Sequence, residues 1–182
     1  MTFKESSFSK ALLEERLRDT LRAPVFASDE MLRRATAAAR RRGTRVVVTD
    51  RSSVLLLADT DPGVPGSRWW VTPGGGIDAG EDDRTAALRE LAEETGLVIE
   101  ETRLIGPVAE REVVHGYSDR ILTQQESFFV VVVAEPFEPE PAGLTASELE
   151  RLDGWAWHRI DALDELAEPV WPAVIPQLLE WA

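Results

Sequence analysis

GGIDAGEDDRTAALRELAEETGL, residues 75–97, is the stretch whose reading decides the fold. Its fixed points are Gly75, Glu81, Arg89-Glu90-Leu91, Glu93-Glu94 and Gly96-Leu97. A glycine-rich loop runs here into a segment, Arg84 to Glu94, dense in strong helix formers. Asp82 or Asp83 is placed to cap that helix, and Gly96 to end it in a left-handed conformation. Glu90, Glu93 and Glu94 stand at i, i+3 and i+4, so their side chains converge on one face, with Leu88, Leu91, Ala92 and Thr95 supplying an apolar side. Like charges at that spacing repel by about 0.2–0.5 kcal/mol per pair. A hard divalent cation reverses the sign of that interaction, because Mg²⁺ takes oxygen ligands in octahedral geometry and shares them with substrate phosphates.

The residues before the helix agree with that chemistry. Pro73-Gly74-Gly75-Gly76 can adopt backbone conformations closed to residues with a β-carbon, which lets carbonyls and amides approach a metal or a phosphate. Glu81 and Arg89 carry opposite charges and are assigned an architectural role, locking the loop onto the helix.

The stretch resembles the Nudix box, the signature of hydrolases acting on a nucleoside diphosphate linked to another moiety, and matches it at every specified position. The similarity extends from about Arg45 to Trp181 and takes in Trp69-Trp70-Val71-Thr72-Pro73-Gly74-Gly75 and Glu126-Ser127-Phe128-Phe129-Val130. The resemblance implies an α/β chain: a Nudix-type α/β/α sandwich with a mixed central sheet and the box as a loop-helix-loop at its edge. It implies Mg²⁺, with Mn²⁺ as a substitute, held mainly by Glu93 and Glu94, with Glu90 joining directly or through water and the Gly75 carbonyl contributing. Glu126, an acid at the start of the apolar run Phe128–Val133, is implied to reach the metal cluster or to serve as general base. Whether Glu126, Glu93 or Glu94 takes the proton stays open. The implied reaction is hydrolysis of a pyrophosphate bond, with a modified nucleoside triphosphate among the candidate substrates. Glu112, sixteen residues beyond Gly96, is neither the proline nor the tyrosine that marks subgroups acting on ADP-ribose or diadenosine polyphosphates. The alternative is a nucleotide sensor on the same fold without turnover, but such proteins tend to lose box glutamates. An isopentenyl diphosphate isomerase on this fold relies on a cysteine, and this chain has none.

Composition narrows the field further. At 182 residues the length suits one domain with a full core. The absence of cysteine excludes disulfides, thiol catalysis and cysteine-bound zinc, and is compatible with a reducing compartment. No apolar run approaches a membrane span and the N-terminus lacks a signal-peptide core, so a cytoplasmic protein is expected. Charge is uneven. Residues 1–45 hold eleven Lys and Arg against six acids, whereas residues 46–182 hold nine Arg against twenty-seven acids. A body that acidic repels a nucleic-acid duplex, while a small nucleotide-type substrate arrives with its cation.

The resemblance, which begins near Arg45, implies a hydrolase domain over residues 44–182 and leaves residues 1–43 as a helical extension. The extension is read as helices over 8–22 and 29–42, with Gly43 ending the second, and as a partner-binding arm or the arm of a homodimer. Arg45–Thr49 and Val54–Ala58 predict a hairpin around Asp50-Arg51-Ser52-Ser53. Asp59–Ser67 reads as a loop and Arg68–Thr72 as a strand. Long strands are expected over Arg103–Val114 and Ile121–Glu135, flanking the polar loop from His115 to Arg120. A strand over Leu152–His158, a short helix over Asp161–Leu166 and a closing helix over Trp171–Trp181 complete the map. Arg68, Arg111 and Arg120 are candidates to hold a substrate phosphate, and Trp69 to stack on a base. Trp70, on the opposite face of the same strand, belongs to the core.

Overall fold

A computed structural model describes residues 40–118 and 121–180. The helices expected over 8–22 and over most of 29–42, Arg120, and Trp181 at the end of the expected closing helix lie outside them. One part of that expectation is corrected: Arg40-Arg41-Arg42 are not helical but open the first strand, β1 (Arg40–Thr49). All ten residues of β1 pair in parallel with β5 (Ile121–Val132), from Arg40 opposite Thr123 to Thr49 opposite Val132. Arginine favours helix, but intrinsic propensity yields to tertiary context, and a continuous ladder beside the β-branched Val46-Val47-Val48 overrides it.

The hairpin forms between β1 and β2 (Ser53–Asp59), with Val48 opposite Leu55 and Thr49 opposite Val54. Its turn is held by Asp50, whose Oδ1 accepts from the Ser52 and Ser53 amides at 2.9 and 2.6 Å and from both hydroxyls at 2.9 and 3.0 Å. Beyond the turn β2 leaves β1 and pairs with the short β3 (Trp69–Val71), while its other edge takes β6 (Leu152–Arg159). β4 (Ile105–Gly116) lies antiparallel to β5, and β7 (Val170–Trp171) runs parallel to β3. The sheet is therefore mixed, in the order β4-β5-β1-β2-β3-β7 with β6 on β2.

Each face of this sheet buries one core. On one side Val46, Val48, Leu55, Phe129 and Val131 pack against Ala87 and Leu91 of helix α1 (Asp83–Thr95). On the other, Val47, Val54, Leu56, Trp70, Phe128 and Val130 pack against Leu163 and against Ile175 and Leu178 of α3 (Ile175–Leu179). Alternation along β1 and β5 assigns neighbouring residues to opposite cores, which is what a buried sheet between helical layers requires. The closing helix expected from Trp171 is shorter, because Val170 and Trp171 are used as strand β7. Helix α2 (Ala146–Arg151) was not expected either. Among the described residues no helix is long and apolar enough to cross a membrane.

Candidate active site

Helix α1 begins and ends on the residues its sequence marks. Asp82 caps it by accepting from the Thr85 amide at 2.8 Å, and Gly96, at φ 72°, returns its N–H to the Ala92 carbonyl. The loop before it lies where β2 has turned away from β1. There the Thr44 and Val46 amides donate to the Gly75 and Pro73 carbonyls at 2.9 and 2.8 Å, so residues 73–77 fill the vacated edge of β1. Gly74 has φ 135°, and a β-carbon on it would sit 2.1 Å from the Thr44 carbonyl oxygen, so glycine is obligatory there. At Gly75 the neighbour is Glu90: a β-carbon would come within 2.6–2.7 Å of its carboxylate atoms. The loop backbone thus lies flush against a box carboxylate.

Loop and helix are fastened by Arg89. Its Nε and Nη2 donate to the two Glu81 oxygens at 3.0 Å each, and Nη2 also reaches the Gly76 carbonyl at 2.8 Å. Its Nη1 donates to Glu90 at 2.8 Å and to Glu93 at 3.0 Å. Glu81 in turn accepts from the Asp78 amide. These pairings hold the Arg89 guanidinium above its usual pKa, led by Glu81, and hold Glu81 below the usual carboxylate range.

The box carboxylates differ in their surroundings. Glu90 is buried, and that burial pushes its carboxyl up against the pull of Arg89. Glu94 accepts the Gly74 amide at 2.7 Å, and desolvation raises its carboxyl to about 8, with Glu90 adding repulsion. Glu93 keeps 38% of its side chain exposed. Glu90, Glu94 and residues Gly74–Gly76 line one cavity of about 140 Å³. Arg41, Arg45, Tyr117, Glu148 and Arg151 line it too.

Glu126 is elsewhere. It faces Arg111 directly across the β4–β5 ladder and is fully buried between two guanidiniums. Arg45 Nε donates to one oxygen at 2.9 Å and Arg111 Nε to the other. Arg45 also donates through Nη1 to the carbonyls of Gly74 and Thr72, at 2.9 and 3.3 Å, joining Glu126 to the glycine loop at second hand. Arg111 lies in this buried pair, not on the cavity. Arg68 is held by Asp153 and Glu168 at 2.9 Å each and stacks on Trp70. Trp69 stands beside Tyr117, their ring centroids 6.1 Å apart.

Seven polar cavity residues had not been singled out as site candidates: Arg41, Arg45, Asp59, Tyr117, Gln124, Glu148 and Arg151. Arg41 was hidden by the helical reading of residues 29–42. Glu148 and Arg151 belong to α2, whose signature was legible: Thr145-Ala-Ser-Glu148 is a capping box, with the Glu148 amide donating to the Thr145 hydroxyl at 3.3 Å and the Thr145 amide to Glu148 at 2.7 Å. No carboxylate pairs with Arg41 or Arg151 among the described residues.

The donor set suits a hard divalent cation. Glu90 and Glu94 share one cavity with the Gly74–Gly76 backbone, and burial raises the carboxyls of both. Among the described residues, however, no three acids or histidines converge closely enough to hold an ion as they stand. The reason is visible: Arg89 engages Glu90 and Glu93, Gly74 engages Glu94, and two arginines engage Glu126.

A mixed sheet between helical layers, with a glycine loop and an acidic helix walling a polar cavity, defines a phosphate-handling α/β protein. The chain belongs to the Nudix family: the NUDIX domain matches residues 39–181. It is 34% identical over 111 residues to an RNA pyrophosphohydrolase of Caulobacter vibrioides, spanning 55% of this chain and 61% of that one. An RNA pyrophosphohydrolase of Acidiphilium cryptum is 29% identical over 143 residues, 74% of this chain and 85% of that protein. With an RNA pyrophosphohydrolase of Dinoroseobacter shibae the match is short, 58% identity over 36 residues, 20% of this chain and 22% of that protein. The crystal structure of a MutT NUDIX hydrolase from Burkholderia pseudomallei has the same fold, at TM-score 0.52 and 22% identity over 80% of this chain and 99% of that one. Nudix hydrolases generally use divalent metal ions.

Proposed function

We propose that the cavity hydrolyses a pyrophosphate bond in a nucleoside diphosphate linked to another moiety, with Mg²⁺ as cofactor and Mn²⁺ able to replace it. The observation that carries this reading is the grouping of Glu90, Glu94 and the Gly74–Gly76 backbone around one cavity edged by Arg41 and Arg151, which pair with no carboxylate among the described residues. Glu90 and Glu94 would hold the ion together with the Gly75 carbonyl, and Glu93 and Glu148 are the further carboxylates within the same region. A bound divalent ion polarises phosphoryl oxygens and lowers the pKa of water. The chain's own contribution is placement. Arg41 and Arg151, on the cavity lining, would supply positive charge to substrate phosphate oxygens, and Arg45 fixes the Thr72 and Gly74 carbonyls of the loop. Residues 44–182 are taken as the hydrolase domain and residues 1–43 as its extension, with β1 crossing that boundary from Arg40.

The test is phosphate release with Mg²⁺ and with Mn²⁺ across canonical and oxidised nucleoside triphosphates, ADP-ribose, dinucleoside polyphosphates, nucleotide sugars and RNA with a terminal pyrophosphate bond. The last joins the panel because several relatives carry that activity in their names. Glu94→Gln is the blank. Metal-dependent turnover of one class, absent from the blank, is expected. Nucleotide binding without turnover anywhere in the panel would replace the hydrolase with a sensor.

A further inference from the structure

The glycine loop is held to β1 in two different ways. The Pro73 and Gly75 carbonyls accept from the Val46 and Thr44 amides, whereas the Thr72 and Gly74 carbonyls accept from the side chain of Arg45. Those bonds use only part of the guanidinium. Nη1 serves the two carbonyls, and Nε serves one oxygen of Glu126. Nη2 makes no hydrogen bond with a described residue, and Arg45, only part-buried, lines the cavity with Glu90, Glu94 and Gly74–Gly76.

A carboxylate beside an arginine commonly takes it as a fork, on two parallel N–H groups. Glu126 engages Arg45 through Nε alone, because Arg111, facing it across the β4–β5 ladder, holds its other oxygen. Arg111 is itself fixed. It is buried, its guanidinium lies 5.1 Å from the centre of the Phe128 ring, and it is not part of the cavity lining. By occupying the second oxygen it keeps Glu126 from closing on Nη2.

Charge points the same way. Two guanidiniums share one carboxylate, which leaves the group with surplus positive charge. Of the two cations only Arg45 touches the cavity. Behind it, on the same face of the sheet, Val47, Phe128 and Val130 are fully buried. With little water there to screen it, the surplus acts on what enters the cavity. The guanidinium is already ordered by three acceptors, so an anion meeting Nη2 immobilises no further side chain. Phosphate oxygens are the groups of a pyrophosphate substrate that suit such a donor.

We propose that Arg45 binds a phosphate oxygen of the substrate through Nη2, and that Arg111 is a positioning residue that keeps Nη2 open by holding Glu126 to Nε alone. This rests on the hydrolase reading of the cavity and adds a phosphate contact to it.

The experiment is calorimetric titration of the full chain, in saturating Mg²⁺, with the non-hydrolysable probe methylenediphosphonate. Arg111→Met releases the second Glu126 oxygen to close on Nη2. It is expected to weaken the probe at least about tenfold, the size of one hydrogen bond to a charged group, while the Arg45–Glu126 pair keeps the protein folded. Arg111→Lys, which leaves a cation on that oxygen, is expected to restore most of the affinity. Glu126→Gln is expected to bind the probe at least as tightly as wild type, although it is the less stable protein, because Nη2 stays open and no carboxylate offsets Arg45. Affinity and stability thus part company in these variants, which a purely structural role does not produce. Wild-type affinity in Arg111→Met overturns the proposal, as does a loss in Glu126→Gln or a wild type that does not bind the probe. A loss in Arg111→Met matched by an equal loss of Mn²⁺ affinity assigns the effect to the metal and overturns it as well. Turnover of the substrate panel with a probe affinity indifferent to Arg111 sinks this assignment alone. An Arg111-dependent affinity without turnover sinks only the hydrolysis.

Discussion

Replacing Glu126 by glutamine distinguishes a buried structural acid from a metal ligand. Glu126 is wholly buried, and the guanidiniums that grip it are 16% exposed in Arg45 and 2% exposed in Arg111. Glutamine keeps the shape but removes the charge, and its amide group turns a donor toward one of two cations that can only donate. Arg111 then has no counter-charge, and burial already draws its guanidinium below its ordinary pKa. Breaking a buried pair on one side costs about 3–5 kcal/mol. For a domain of this size that is a fall in Tm of roughly 6–20 °C, at about 2–4 °C per kcal/mol. Arg45 suffers less, because the Thr72 and Gly74 carbonyls still accept from it. The double variant Arg111→Met, Glu126→Gln should recover most of the loss, since an apolar replacement leaves no stranded charge. Urea unfolding of the wild type, both single variants and the double variant closes the cycle. A Glu126→Gln protein within about 1 kcal/mol of wild type, but inactive, would refute this reasoning and return Glu126 to the metal.

Other perturbations test the rest of the site. The Glu94 carboxyl is raised to about 8, so its burial costs nothing below about pH 4.5 and destabilises the metal-free fold progressively as pH climbs from there to about 8, levelling off above. Glu94→Gln should therefore unfold at higher urea than wild type at pH 8 in chelator, by about 1–2 kcal/mol with cavity water tempering the effect, and match it near pH 4. A gain of equal size at both pH values would rule out desolvation as the cause. Asp50 has the opposite sign: the Ser52 and Ser53 amides and hydroxyls hold its carboxyl down at about 2, so its contribution is full above about pH 4 and fades as pH falls toward 2. Asp50→Ala should cost about 1 kcal/mol at pH 7, comparable to losing a helix cap, with most of the difference gone at pH 2. Two glycine variants separate fold from chemistry. Gly74→Ala meets the Thr44 carbonyl at positive φ and should lower Tm sharply, whereas Gly75→Ala meets the carboxylate end of the Glu90 side chain, not backbone, and should lower kcat with a smaller change in Tm.

The box helix, both caps and the hairpin were legible because each is specified locally. Asp82, Gly96 and Asp50 all act on backbone groups within four residues of themselves. The rest depends on contacts distant in sequence. Arg41 lies on a strand only because β5 runs beside it, eighty-odd residues later in the chain. Glu126 was an acid out of pattern in an apolar strand, and that signal was real. What it could not reveal was that Arg111 would stand opposite it and Arg45 beside it, a consequence of register in a three-strand ladder. Helix α2 was missed although its capping box was in plain view, because the segment before it, rich in proline and acids, reads as loop throughout.

The arginines also explain how an acidic site remains folded before any cation arrives. Arg89 serves Glu81, Glu90 and Glu93 at once, but unequally. Two of its nitrogens go to Glu81 and the Gly76 carbonyl, and only Nη1 reaches the cavity acids. If the proposed cation also drew on Glu93, it would have to replace Nη1 alone at Glu90 and Glu93, while the rest of the fork stays anchored. Glu81 therefore sets how easily those acids are surrendered, although it lies outside the cavity lining. Glu81→Gln removes the anchor, and Arg89 should then be held by Glu90 and Glu93 more tightly. Mn²⁺ affinity, read by the loss of the free-ion paramagnetic resonance signal, is expected to fall by about tenfold, the size reported for groups that orient metal ligands from behind. The same affinity in Glu81→Gln and wild type would mean that Arg89 does not compete with the metal, and that its contacts with Glu90 and Glu93 persist in the loaded site.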